Sequence, residues 1–92
     1  MDNVVQLIQE NEARLNVTYG GQNGDLPDAV SIETTDGDIK TMATEAVAGG
    51  GIPGIPTDAR ADFGDFVVER YPPTEDRTHH LIQLRPKTEF GG

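Results

Sequence analysis

The 92-residue chain has no cysteine and no tryptophan. Without cysteine there is no disulfide framework, zinc ribbon, iron–sulfur ligand set or thiol nucleophile. Basic residues are scarce as well. Two lysines and five arginines stand against 16 acidic residues, for a formal charge of −9. A nucleic-acid-binding face needs a basic patch, so no nucleic-acid partner is expected. No apolar run approaches the roughly 20 residues of a membrane span, and Met1-Asp2 lacks the positive start of a signal peptide. The expectation is a cytoplasmic protein with no membrane partner. Apolar residues make up 35% of the chain and aromatic residues 5%. That leaves a small core with no room for a deep substrate cavity, which favours a binding or carrier role over catalysis.

Catalytic constellations are missing too. His79 and His80 are neighbours on an expected strand, so they point to opposite faces and cannot share a metal ion. Ser31 is the only serine and sits mid-strand without a nucleophile-elbow motif. Asp58, Asp62 and Asp65 lack the spacing of a calcium loop. Gly20-Gly21-Gln22-Asn23-Gly24 is followed by neither a lysine nor a helix start, unlike a phosphate loop. The protein is expected to be no enzyme and to carry no metal or cofactor of its own.

What is present reads as one small α+β domain. Residues 1–14 form an N-terminal extension, expected as a short amphipathic helix over Asp2–Arg14 because Val4 and Ile8 stand four apart; Val4–Ile8 also fits the start of a strand. This segment is either packed on the domain or a docking arm. Leu15–Tyr19 alternates with period two and reads as a strand. Gly20–Asp28 reads as a long turn, and Val30–Thr34 as the second strand of the hairpin. Ile39, Met42, Ala43, Ala46 and Val47 form one helical stripe, capped by Thr35–Asp38 and stopped by Gly49-Gly50-Gly51. Ile52 and Ile55 anchor a loop, and Phe63 is the one large apolar residue of 57–64. Phe66–Tyr71 and Thr78–Arg85 read as strands, with Pro86 ending regular pairing. The order is β-β-α-β-β over residues 15–85, with an extended tail over 86–92 ending in Gly91-Gly92.

On three stretches the chain resembles ubiquitin and its relatives. The helix running into Gly51-Ile52-Pro53 is similar to the ubiquitin helix and its glycine-isoleucine-proline loop. Thr78–Arg85 is similar to the last ubiquitin strand, and Gly91-Gly92 matches the terminal diglycine. The chain departs from ubiquitin in three ways: the stretch between Tyr71 and Thr78 is too short for the extra short strand and turn that ubiquitin has there, the tail over Pro86–Phe90 is longer and less basic, and the Asp2–Arg14 extension has no ubiquitin counterpart. The pattern is most similar to divergent ubiquitin-like proteins of bacteria. The resemblance implies a β-grasp mixed sheet with one helix across it. It further implies a modifier whose Gly92 carboxylate is adenylated with ATP and magnesium by an activating enzyme, then passed through a conjugating enzyme to a target protein. A deconjugating protease would be a further partner. Gly91 would give access to a narrow channel, and Arg85, Lys87 and Phe90 would be the tail contacts read by the activating enzyme. The same scaffold and diglycine end also fit a sulfur carrier with a C-terminal thiocarboxylate, or a non-covalent binding and assembly module.

Overall fold

A two-residue turn starts the sheet. In the computed structural model, which describes residues 8–87, Gly20 and Gly21 take φ values of 60° and 80°. Two consecutive residues at positive φ form the tight hairpin turn whose twist matches its flanking strands, and glycine adopts that φ without steric cost. The turn joins β1 (Glu12–Tyr19) to β2 (Gln22–Asp25), with Tyr19 opposite Gln22. The long turn expected over Gly20–Asp28 is therefore corrected, since Gln22–Asp25 is strand. A continuous register would bring Asp28 opposite Ala13, but Val30 stands there, on the two-residue strand β3 (Val30–Ser31). Two extra residues are looped out between β2 and β3, and strand pairing ends earlier than the expected Val30–Thr34.

β1 starts at Glu12, so Glu12-Ala13-Arg14 belong to the sheet and not to the helix expected over Asp2–Arg14. Tertiary pairing overrides the local helix preference, because Ala13 and Arg14 lie against His80 and Leu81 of the last strand. Residues 1–7 lie outside the described residues.

α1 (Asp36–Ala48) carries the expected stripe, with Ile39, Ala43 and Val47 buried. The Thr35 side chain accepts from the Asp38 backbone N–H at 3.1 Å, satisfying one of the helix's open donors. At the other end Gly51 N–H bonds Ala46 O and Gly50 N–H bonds Val47 O, while Gly50 takes φ 72°. This reciprocal pair around a left-handed glycine closes the helix.

β4 (Phe66–Tyr71) and β5 (His80–Pro86) complete a five-stranded mixed sheet in the order β2-β1-β5-β4, with β3 also on β1. β1 and β5 run parallel at the centre, and every other pair is antiparallel. The α1 crossover thus joins β3 to a strand of the same direction, as expected of a two-layer α+β domain. α1 covers one sheet face and buries Ile39, Ala43 and Val47 with Leu15, Val17, Ile82 and Leu84. The segment between α1 and β4 adds Ile52, Ile55, Ala61 and Phe63 to this core. Phe63 meets Tyr19 and Phe66 at ring-centroid distances of 5.1 and 4.7 Å. No helix among the described residues is long and apolar enough to cross a membrane.

Candidate functional site

β5 leads from the sheet centre to Arg85, Pro86 and Lys87, the described part of the segment where tail contacts are expected. Strand alternation sends Ile82 and Leu84 into the core and Leu81, Gln83 and Arg85 to the opposite face. Across the antiparallel register, Tyr71, Glu69 and Val67 of β4 share that outer face with Leu81, Gln83 and Arg85. The Arg85 guanidinium reaches diagonally to Glu69, with Nε donating to Oε1 at 2.9 Å and Nη2 to Oε2 at 2.6 Å. Tyr71 donates its hydroxyl to the same carboxylate at 2.7 Å. Three charge-assisted hydrogen bonds converge on Glu69 and hold its carboxyl at about 2, far below the ordinary range, with Arg85 the larger cause and Tyr71 the second. The same bonds raise the Arg85 and Tyr71 values, since both donate to the carboxylate.

Arg85, expected as a tail contact, is thus fixed in orientation by Glu69. The fork uses two of the five guanidinium N–H groups, and the other three have no hydrogen-bond partner among the described residues. Lys87 is exposed directly beyond the end of β5. It borders a groove of about 430 Å³ between β4 and α1, where Lys40 is also found. Phe90, Gly91 and Gly92 lie outside the described residues.

The alternation of Phe66–Tyr71 puts Val67, Glu69 and Tyr71 on one face, but nothing local says which β5 residues stand opposite. The partnership of Glu69 and Tyr71 with Arg85 therefore escaped sequence reasoning. The acidic residues of the loop before β4 have structural work instead. Asp58 accepts from the Tyr19 hydroxyl at 2.7 Å and from Arg60 N–H at 2.9 Å, and Asp62 accepts from Gly64 N–H at 2.8 Å. The Tyr19 bond is the main cause of a lowered Asp58 value and a raised Tyr19 value. Ser31 Oγ accepts from Glu33 N–H in a turn. Among the described residues no group of three or more His, Asp or Glu side chains is placed to hold a metal ion.

The Glu69 value makes a pH prediction. Its folded-state value is depressed from 4.5 to about 2, so its contribution to stability is fully present above about 4.5 and is lost as pH falls through about 2. Glu69→Gln is expected to lower the melting temperature at pH 7 and to lose that effect progressively toward pH 2. Because the pair is about one-third exposed, the effect is modest and shrinks with added salt. A carboxyl titration of Glu69 by NMR with a midpoint near 4.5 contradicts the arrangement.

Compared with known proteins, the chain matches no family model, no curated protein and no solved structure.

Proposed function

We propose that this protein is a ubiquitin-like modifier of the β-grasp type, activated at the Gly92 carboxylate and transferred to target proteins in a bacterial, cytoplasmic ubiquitination-like pathway. The observation that carries this reading is the course of β5. It is the central parallel partner of β1, and its chain continues through Lys87 into the segment that contains Gly91-Gly92. A hairpin, a crossover helix and two further strands around a parallel centre support the β-grasp assignment.

The chemistry asked of the chain is that of a substrate. An activating enzyme brings a Gly92 carboxylate oxygen, encoded there or exposed by a protease, onto the α-phosphorus of ATP with magnesium on the phosphates. The P–O bond to pyrophosphate breaks, and the acyl-adenylate forms. A thiol or amine of the next partner then attacks the acyl carbon. The bond to AMP breaks, AMP leaves with the electron pair, and the nucleophile's proton passes to a base of the partner. Glycine suits this step because a backbone without Cβ threads a narrow channel and adopts conformations closed to other residues. Arg85, held by Glu69, together with Lys87 and Phe90, supplies the contacts that orient the tail. The acidic body steers the encounter toward a basic partner face.

Intact and peptide mass spectrometry after incubation with candidate activating enzymes, ATP and magnesium tests the reading. The expected product joins Gly92 to a partner with loss of water, and deletion of Gly91 and Gly92 abolishes it. A gain of sulfur in place of oxygen at Gly92 would instead assign the chain as a sulfur carrier. An undiminished adduct from the truncated chain overturns conjugation through the diglycine.

A further inference from the structure

The two edges of the sheet differ. At the β2 edge, the Ile52–Gly54 loop crosses so closely that a Cβ on Gly24 would overlap the Pro53 carbonyl oxygen, and one on Gly54 would come within 2.9 Å of the Asn23 carbonyl oxygen. The loop lies against β2 at Asn23 and Gly24. At the other edge β4 pairs only with β5 among the described residues.

Pro86 determines which β4 groups are free. Phe66 stands opposite Pro86, and proline has no N–H to exchange, so the pair is of the non-hydrogen-bonded kind. Alternation then commits Val67, Glu69 and Tyr71 to β5. Phe66, Val68 and Arg70 direct their N–H and C=O groups away from the sheet. Phe66 N–H is taken up by Phe63 O at 3.0 Å, leaving the Phe66 carbonyl and both main-chain groups of Val68 and Arg70 on the open side. A row of this kind is a template for another strand.

Charge marks what would pair there. Both lysines of a chain with a formal charge of −9 border the groove beside this edge. Lys40 Nζ donates to the Gly64 carbonyl at 3.1 Å, which uses one of its three donors and neutralises none of its charge. Asp36, on the same groove, is already paired with Arg70 at 2.8 Å. Among the described residues Asp65 is the one remaining acid there. A second copy of this chain would bring lysines against lysines and one acidic body against another, and is disfavoured.

We propose that the open edge of β4 is a strand-addition site for an extended segment of a partner protein, with a carboxylate side chain of that segment seated in the groove between Lys40 and Lys87. Main-chain bonds to Val68 and Arg70 supply the register, and the lysines supply the preference for Asp or Glu. The site does not rest on activation of Gly92, because it is read on the chain as it stands.

The test is an NMR titration of the isotope-labelled full chain with two capped hexapeptides at up to millimolar concentration. One alternates Val and Glu, and the other alternates Val and Lys. The expected result is amide shifts centred on Val68 and Arg70, with shifts at Lys40 and Lys87, and about tenfold weaker binding of the lysine peptide. Val68→Pro removes an outward N–H from an edge position and is expected to abolish binding. The double variant Lys40→Gln, Lys87→Gln is expected to keep the site on β4 and lose the preference between peptides, whether or not Val68→Pro folds. Shifts centred on β2 or on the outer sheet face overturn the proposal. So do equal binding of the two peptides, no shifts at millimolar peptide, or concentration-dependent β4 shifts without peptide.

Discussion

Phe63→Ala is expected to leave little of the folded state. Phe63 is 1% exposed and is the largest of the fully buried side chains. It stands between Tyr19 and Phe66, with Phe66 edge-on at 76°. Truncating a buried phenylalanine costs about 3–5 kcal/mol, the lost transfer free energy plus the cavity left behind. A small domain has only about 5–15 kcal/mol in total. The cost is large here because the loop before β4 has no strand or helix pairing of its own and depends on Ile55, Ala61 and Phe63 to stay docked. The melting temperature should fall by about 12 °C or more, read by circular dichroism. Tyr71→Ala, on the exposed aromatic, should cost less than about 1 kcal/mol. Similar losses from both variants would contradict the packing described for Phe63.

Gly24→Ala should destabilise strongly even though a single methyl is added. The φ of Gly24 is not in the left-handed region, so the obstacle is space. An added Cβ would overlap the Pro53 carbonyl oxygen and come within 2.8 Å of Ile52 Cγ2. Ile52 is itself buried in the core, and the carbonyl belongs to a backbone that cannot rotate away. Overpacking of this kind costs about 1–3 kcal/mol, and the upper part of that range applies because backbone meets backbone. The gain of about 0.4–1 kcal/mol from a stiffer unfolded chain does not offset it. Gly37→Ala is the control of opposite sign. Gly37 lies in the first turn of α1 with open space around it, so alanine there should stabilise by about 0.5 kcal/mol. Chemical denaturation of both variants checks the pair. A neutral Gly24→Ala would mean that the loop is not seated on β2.

Much of the fold is legible in local pattern. Ile39, Ala43 and Val47 mark the buried helix face, the three glycines after Ala48 mark its end, and Phe66–Tyr71 has the bounds that its β-rich composition implies. Ile52, Ile55 and Phe63 are the anchors their isolation among polar residues suggests. The hairpin is less legible because Gln22–Asp25 has no apolar side chain to set a period. Its register is held by polar contacts, with Asn16 and Asn23 exchanging side-chain bonds at 3.0 and 2.9 Å. Glu12–Arg14 reads as helix from composition and becomes strand because the last strand lies beside it. The site divides in the same way. Arg85 and Lys87 follow from their place before the diglycine, whereas the Glu69–Arg85–Tyr71 cluster and the meeting of Lys40 with Lys87 depend on which strands are neighbours. That is long-range information no single segment carries.

The parallel pairing of Ala13–Val17 with His80–Leu84 also sets when the domain can form during synthesis. The central pair of the sheet joins the earliest described strand to the latest, with the helix and every loop lying between them in the chain. Such a topology has high contact order, and loop-closure entropy must be overcome before its main contacts repay it. The β1–β2 hairpin and α1 can form early, but β1 waits for its parallel partner until β5 has left the ribosome. A chain cut short before His80 has no central strand pair. The strand that completes the sheet is the last described strand to be made, so a fragment released before β5 lacks both the parallel partner of β1 and the antiparallel partner of β4.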